Sequence, residues 1–182
     1  MIRKSIFAAL LIALGVYVLM AAPAPIGTFL FAFGLMSICF YEGHLYTGKC
    51  GYVKTKEDIV RLMGVLGINV IAGWFFGFVI SRIDPRATEF ALSRINNWTD
   101  ITTHIVQAAF CGVVMFIAVD MKKRHNNVLG IVYGIPLFIF CGFQHSIANA
   151  IICGMAETFH WYVIMAAMAN WVGALIARTL AE

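Results

Sequence analysis

The chain has 182 residues, 62% of them hydrophobic and only 12% charged, with a mean hydropathy of +0.87. A water-soluble domain carries roughly 25% charged residues, so most of this surface must face lipid, which argues against a soluble enzyme. The net charge of +4 is scattered over short loops and forms no basic face, which argues against a nucleic-acid partner.

One transmembrane domain over residues 1–182 is expected at this length. A first apolar run extends from Ser5 to Ala22 and is followed by Pro23 and Pro25. The preceding Arg3-Lys4 and the Ala-Pro stretch imitate a signal peptide, but with further spans following, an uncleaved first helix is expected. The second run covers Ile26 to about Tyr41 and meets the segment Glu42 to Gly51. A third spans Val60 to Ile80. Ser81 to Asp100, with Pro85 and Trp98, is expected to be a polar loop. The fourth run covers Ile101 to Met121 and ends in Lys122-Lys123-Arg124. The fifth reaches from about Val128 to Cys153, and the sixth from Phe159 to Ala177. Each approaches the roughly 20 residues that cross a bilayer core.

Six spans put both termini on one side. Arg3, Lys4, Lys54, Lys56, Arg61, Lys122, Lys123, Arg124 and Arg178 fall on that side, against Arg82, Arg86 and Arg94 on the other. The positive-inside rule then places both termini in the cytoplasm, with the chain in the cell's inner (plasma) membrane. The halves also look alike. Cys39 to His44 parallels Cys141 to His145, and Ala72-Gly73-Trp74 parallels Ala169-Asn170-Trp171, at nearly equal offsets. A repeat of three spans is odd, so the second copy must be inverted, an architecture that places a site near the midplane.

Two segments carry polar groups at membrane depth. Glu42, His44, Thr47 and Lys49 sit among Gly43, Gly48 and Gly51, where backbone leaving the helix is tolerated only inside protein or along a cavity. Half-helix ends there offer unpaired N–H groups suited to an anion. The alternative is an ordinary helix end and loop. In the fifth run, Gln144, His145, Ser146 and Asn149 interrupt apolar sequence, and His145 and Asn149 share one helical face. His145 is either a structural histidine or a pore-lining group able to share a proton with a passing weak-acid anion. His104, His125 and His160 are read as structural or loop residues. The five cysteines have no CxxC spacing, and no HxxxH or HxxEH pair occurs, so no metal site and no cofactor is expected. A haem held by His44 and His145 is the redox alternative.

Leu45-Tyr46-Thr47-Gly48 resembles the Leu-Phe-Thr-Gly motif on the broken second helix of the formate/nitrite transporter family. Gly142 to Asn149 resembles its Gly-Phe-Glu-His-Ser-Ile/Val-Ala-Asn motif on the broken fifth helix, and Asn170-Trp171-Val172-Gly173 its Asn-x-x-Gly on helix six. The resemblance implies an all-α membrane protein, six transmembrane helices as two inverted three-helix repeats, with helices two and five broken near the midplane in an aquaporin-like manner. It further implies a homopentamer with one pore per protomer, passing a small monovalent anion and a proton. His145 would be the central pore histidine, with Thr47 opposite it, and Asn149 and Asn170 would support the breaks. Phe31, Tyr46 and Phe138 would form the outer constriction, and Leu35 and Leu45 the inner one. Departures are Gln144 in place of the family's acid, His44 in place of a carboxylate, the added Lys49, and Trp74 at the helix-three position where an Asn is common. These departures keep a pore for a neutral or cationic solute open as an alternative.

Overall fold

The structure is a computed structural model and describes residues 1–98 and 100–182. Its helices are α1 (Ile2–Ala21), α2 (Ala24–Phe40), α3 (Lys56–Ile83), α4 (Arg86–Ile95), α5 (Ile101–His125), α6 (Leu129–Phe140), α7 (Ser146–Met155) and α8 (Tyr162–Ala181), with one 3₁₀ turn at Cys50–Tyr52. No strand occurs among the described residues. Four helices, α1, α3, α5 and α8, are long and apolar enough to cross a membrane. The helices α2, α6 and α7 are apolar but shorter.

Local chemistry sets the helix ends. Thr55 and Asp58 form a reciprocal capping box before α3, with Asp58 N donating to Thr55 Oγ1 at 3.2 Å and Thr55 N to Asp58 Oδ2 at 3.0 Å. Asp100 caps α5 by accepting from Thr103 N at 2.6 Å. The last turn of α5 carries Lys122, Lys123, Arg124 and His125, which complement the helix dipole, and the chain leaves it through Asn126 at φ +49°.

One expectation needs correction. The segment from Ser81 to Asp100 is not a plain loop: α3 continues to Ile83, Pro85 caps the start of α4, and α4 buries Ala87 and Ala91. With only two small residues buried, the pattern was too weak to read as a helix. The fifth run is interrupted, as the resemblance implied for helix five: α6 stops at Phe140 and α7 starts at Ser146.

Small residues let the helices meet backbone to backbone. A Cβ on Gly112 of α5 would overlap the carbonyl of Asn170, and one on Gly173 of α8 the carbonyl of Ala109. The same happens between α3 and α7, where Gly77 lies on Ile151 O and Gly154 on Trp74 O. Lipid tails are as apolar as leucine, so such close packing is what draws helices together in a bilayer. Gly173→Ala should therefore push α5 from α8, costing about 1–3 kcal/mol and roughly 3–10 °C of melting temperature in detergent. Thermal unfolding of the solubilised variant checks this.

Candidate pore site

The chain leaves the helix at two places, after α2 and after α6, and the two departures are built alike. Glu42 and Gly142 both take positive φ, +53° and +69°. Gly43 N donates back to Ile38 O at 2.7 Å, and Phe143 N to Phe138 O at 2.9 Å. The residues on either side therefore correspond as Glu42 with Gly142 and His44 with Gln144. The sequence parallels are therefore out of register, His44 with His145 by one position and Cys39 with Cys141 by two.

Each departure is held by one buried asparagine. Asn170 Oδ1 accepts from Ser146 N at 3.0 Å, while its Nδ2 donates to Ala108 O at 2.7 Å and Gln144 O at 2.9 Å. Asn69 makes the matching set: Oδ1 accepts from Tyr46 N at 2.8 Å, and Nδ2 donates to Ser5 O at 2.8 Å and His44 O at 3.0 Å. Both are fully buried. Asn69 of α3, not Trp74, thus holds the first departure. Trp74 lies one turn further along α3, and its Nε1 donates to Thr158 O at 2.7 Å. The tryptophan parallel with Trp171 hid this register. The clue available in the sequence was a lone Asn in the apolar stretch Gly67-Ile68-Asn69-Val70.

Between the two departures, Thr47 Oγ1 and His145 Nε2 lie 2.8 Å apart, both buried. His145 also caps α7, its Nδ1 accepting from Ala148 N at 3.1 Å. That bond decides the tautomer. With Nδ1 an acceptor, the neutral ring carries its proton on Nε2 and donates it to Thr47 Oγ1. The Thr47 hydroxyl proton then has no acceptor among the described residues and is available to a third group. Both nitrogens of His145 are engaged, so neither is free to ligate haem together with His44.

Two cavities lie toward opposite ends of α1; His145 lines the first of them, and the buried Thr47 lines neither. One, of about 250 Å³, is lined by Phe31, Phe138, Gln144, His145 and Asn149, near the end of α1 that carries Val16 and Leu19. The other, of about 410 Å³, is lined by Leu35, Leu45, His44, Lys49, Lys122 and Lys123. It lies at the opposite end of α1, where His44 N donates to Lys4 O at 3.0 Å. Phe31 and Leu35 are one turn apart on α2, a rise of about 6 Å, so only a short apolar neck separates the cavities. The Phe31 and Phe138 rings meet edge to face at 6.0 Å, and the Phe138 ring lies along the His145 imidazole at 5.8 Å. Tyr46, expected at the outer constriction, lines neither of these cavities. It is buried, and its hydroxyl donates to Ala167 O at 2.9 Å.

Gln144 takes part in an amide chain. Its Nε2 donates to Gln107 Oε1 at 3.1 Å, and its Oε1 accepts from Asn149 Nδ2 at 3.0 Å. Gln107, on α5, was not foreseen, because a single glutamine in an apolar span has no family signature. Arg94 of α4 was not foreseen either, and among the described residues it is the only formally charged one lining the cavity beside His145. Of the arginines near this end, Arg82 pairs with Glu157 at 2.7 Å, and Arg86 with Asp84 at 2.6 Å. The Arg86 guanidinium holds the Asp84 carboxyl down at about 2. Arg94 has no carboxylate partner among the described residues and lies over the Phe90 ring at 5.1 Å.

No family model matches the chain, and no curated protein matches it. Among solved structures it is similar to an FNT family ion channel, with a TM-score of 0.72 and 16% identity, over 99% of this chain and 84% of that one. Over nearly its whole length, therefore, this membrane-embedded helical chain has the fold of an FNT family ion channel, the fold that the motif resemblance implied.

Proposed function

We propose that this protein is a channel for a small monovalent weak-acid anion of the formate, nitrite or hydrosulfide type. In this reading six spans form two inverted halves, α2 with the turn after it and α6 with α7 being the broken spans, and protomers assemble as a homopentamer. Both termini face the cytoplasm of an inner (plasma) membrane. The matching asparagine clamps and positive-φ turns support the inverted halves.

The observation that carries the function is the buried Thr47–His145 pair, with His145 lining the cavity toward one end of α1 and a second cavity open toward the other; in this reading the pair stands at an apolar neck between them. An apolar neck rejects a bare charge, because desolvating it costs several kcal/mol. A group that offers one free hydrogen bond at the narrowest point lowers that cost. Thr47 does this with its uncommitted hydroxyl, oriented by His145.

The cap on Nδ1 refines how a proton takes part. To carry a second proton, His145 would have to break its bond to Ala148 N. To give up its Nε2 proton, it would have to become an imidazolate. The proton that accompanies the anion therefore comes from vestibule water, and the ring serves as a fixed donor rather than as the proton lender expected from sequence. Flux should rise as pH falls toward the permeant acid's own pKa, in the His145→Asn variant as in the parent. Stopped-flow light scattering of proteoliposomes under formate, nitrite and hydrosulfide gradients at two pH values tests the proposal. No flux of any of them from folded protein overturns it.

Arg94 supplies the charge at the mouth beside His145. A lone cation in a low-dielectric funnel raises local anion concentration and entry rate by a factor of ten or more. Arg94→Glu should lower anion entry from that side about tenfold at low ionic strength, with the difference shrinking in high salt. Flux measured across a salt series checks it.

The amide chain of Gln107, Gln144 and Asn149 favours a second reading, a pore for a neutral solute, since it offers donors and acceptors without charge. Urea flux in the same vesicles, without anion flux, would establish that reading instead.

A further inference from the structure

A third cavity lies under the N-terminal end of α1. It has a volume of about 490 Å³ and is lined by Met1, Tyr52, Val53, Leu62 and Val65, together with the charged and polar side chains of His44, Lys49, Asp58, Arg61 and Lys123. It contains none of Thr47, His145, Leu35 or Leu45, so it lies beside the proposed conduction route. It shares His44, Lys49 and Lys123 with the cavity at Leu35, and these residues form the wall between the two.

The charges in this chamber do not balance. Lys49, Arg61 and Lys123 are exposed to solvent; Lys49 and Arg61 make no ion pair and no side-chain hydrogen bond among the described residues, and Lys123 Nζ has the Tyr52 ring at 3.6 Å but no carboxylate as its partner. Against these three cations stands one carboxylate, Asp58, which is already bound by the Lys54 and Thr55 backbone N–H groups at 3.2 and 3.0 Å. His44 Nδ1 is a buried polar atom with no partner, and such atoms are rarely left unsatisfied in a native protein. Two surplus positive charges and one unfilled hydrogen-bonding position, in a chamber much larger than formate, match a divalent oxyanion.

We propose that this chamber binds a phosphate-bearing anion, held by Lys49, Arg61 and Lys123 and hydrogen-bonded to His44 Nδ1, and that its occupancy lowers anion flux through the neighbouring mouth. Charge-assisted hydrogen bonds from such cations suit phosphate oxygens. A bound dianion cancels the field of Lys49 and Lys123, the residues that also face the mouth at Leu35. The binding half stands without any assumption about transport; the regulatory half rests on the channel reading.

The test is binding of inorganic phosphate to the full chain in nanodiscs of zwitterionic lipid, read from the broadening of its phosphorus NMR line. Saturable binding is expected, weakened about tenfold in Arg61→Gln and in His44→Phe, the loss that one charge-assisted bond or one buried partner confers. Absence of saturable binding, or equal affinity in Arg61→Gln, overturns the site. Repeating the titration in nanodiscs containing phosphatidylglycerol distinguishes the source. Loss of phosphate binding there assigns the chamber to a lipid headgroup, and unchanged binding assigns it to a soluble phosphate. In proteoliposomes, phosphate on the N-terminal side should slow formate flux in the parent but not in Arg61→Gln, whose flux without phosphate equals the parent's. Flux that saturating phosphate leaves unchanged removes the regulatory half. Absence of formate flux altogether counts against the channel reading and leaves the binding result standing.

Discussion

Thr47→Val should leave a folded protein whose anion flux has fallen about tenfold to a thousandfold, the range seen when one oriented donor is removed from a dry site. Valine matches threonine in shape, so the α2-side turn keeps its packing. What disappears is the hydroxyl that receives the His145 Nε2 proton and offers its own to the neck. The His145 N–H is then buried without an acceptor, a cost of about 1–3 kcal/mol that thermal unfolding would register separately from flux. Thr47→Ser restores the hydroxyl and should recover most of the conductance. Stopped-flow flux on the three proteins, with folding checked by size-exclusion chromatography, decides the matter. Undiminished flux in the valine variant would mean that solutes cross without touching this group.

Asn170→Leu should prevent accumulation of folded protein. The substitution strands two buried backbone groups, Ser146 N–H and the Gln144 carbonyl, and removes the second bond to the Ala108 carbonyl, which keeps its partner within α5. At about 1–3 kcal/mol each, their loss takes a large part of a typical stability of about 5–15 kcal/mol. Asn170→Asp keeps the acceptor for Ser146 N but loses both donated bonds, so it should fall between parent and leucine variant. Asn69→Leu likewise strands Tyr46 N and the His44 carbonyl and removes the second bond to the Ser5 carbonyl, and should be as severe. Expression level, monodispersity and melting temperature of the four proteins measure this. A mild effect at Asn69 beside a severe one at Asn170 would show that the two clamps are not equivalent.

The apolar runs were legible in the sequence because a bilayer imposes its thickness on composition. The departures at Glu42 and Gly142 were visible too, through polar residues and glycines that a continuous span would not tolerate. The bonds that hold the departures were less visible. Asn69 is a single polar letter whose three partners, Ser5, His44 and Tyr46, come from two other segments, and no spacing rule links them. The parallel of Trp74 with Trp171 suggested a register one helical turn away. Tyr46 was placed at a constriction by counting from a motif, but counting does not say which way a ring points when a carbonyl such as Ala167 O competes for its hydroxyl. Gln107 and Arg94 belong to the site only because α5 and α4 fold onto it.

The glycine contacts also bear on speed. With Gly112 against Asn170 O, Gly173 against Ala109 O, Gly77 against Ile151 O and Gly154 against Trp74 O, α5 and α8, and α3 and α7, meet backbone to backbone, and such contacts oppose rocking of these helices against each other. Solutes that cross this frame must then do so past mobile side chains in a fixed scaffold. The temperature coefficient of flux should accordingly be shallow, close to that of diffusion in water, and unlike the steep dependence of a carrier that rebuilds its helix contacts in every cycle.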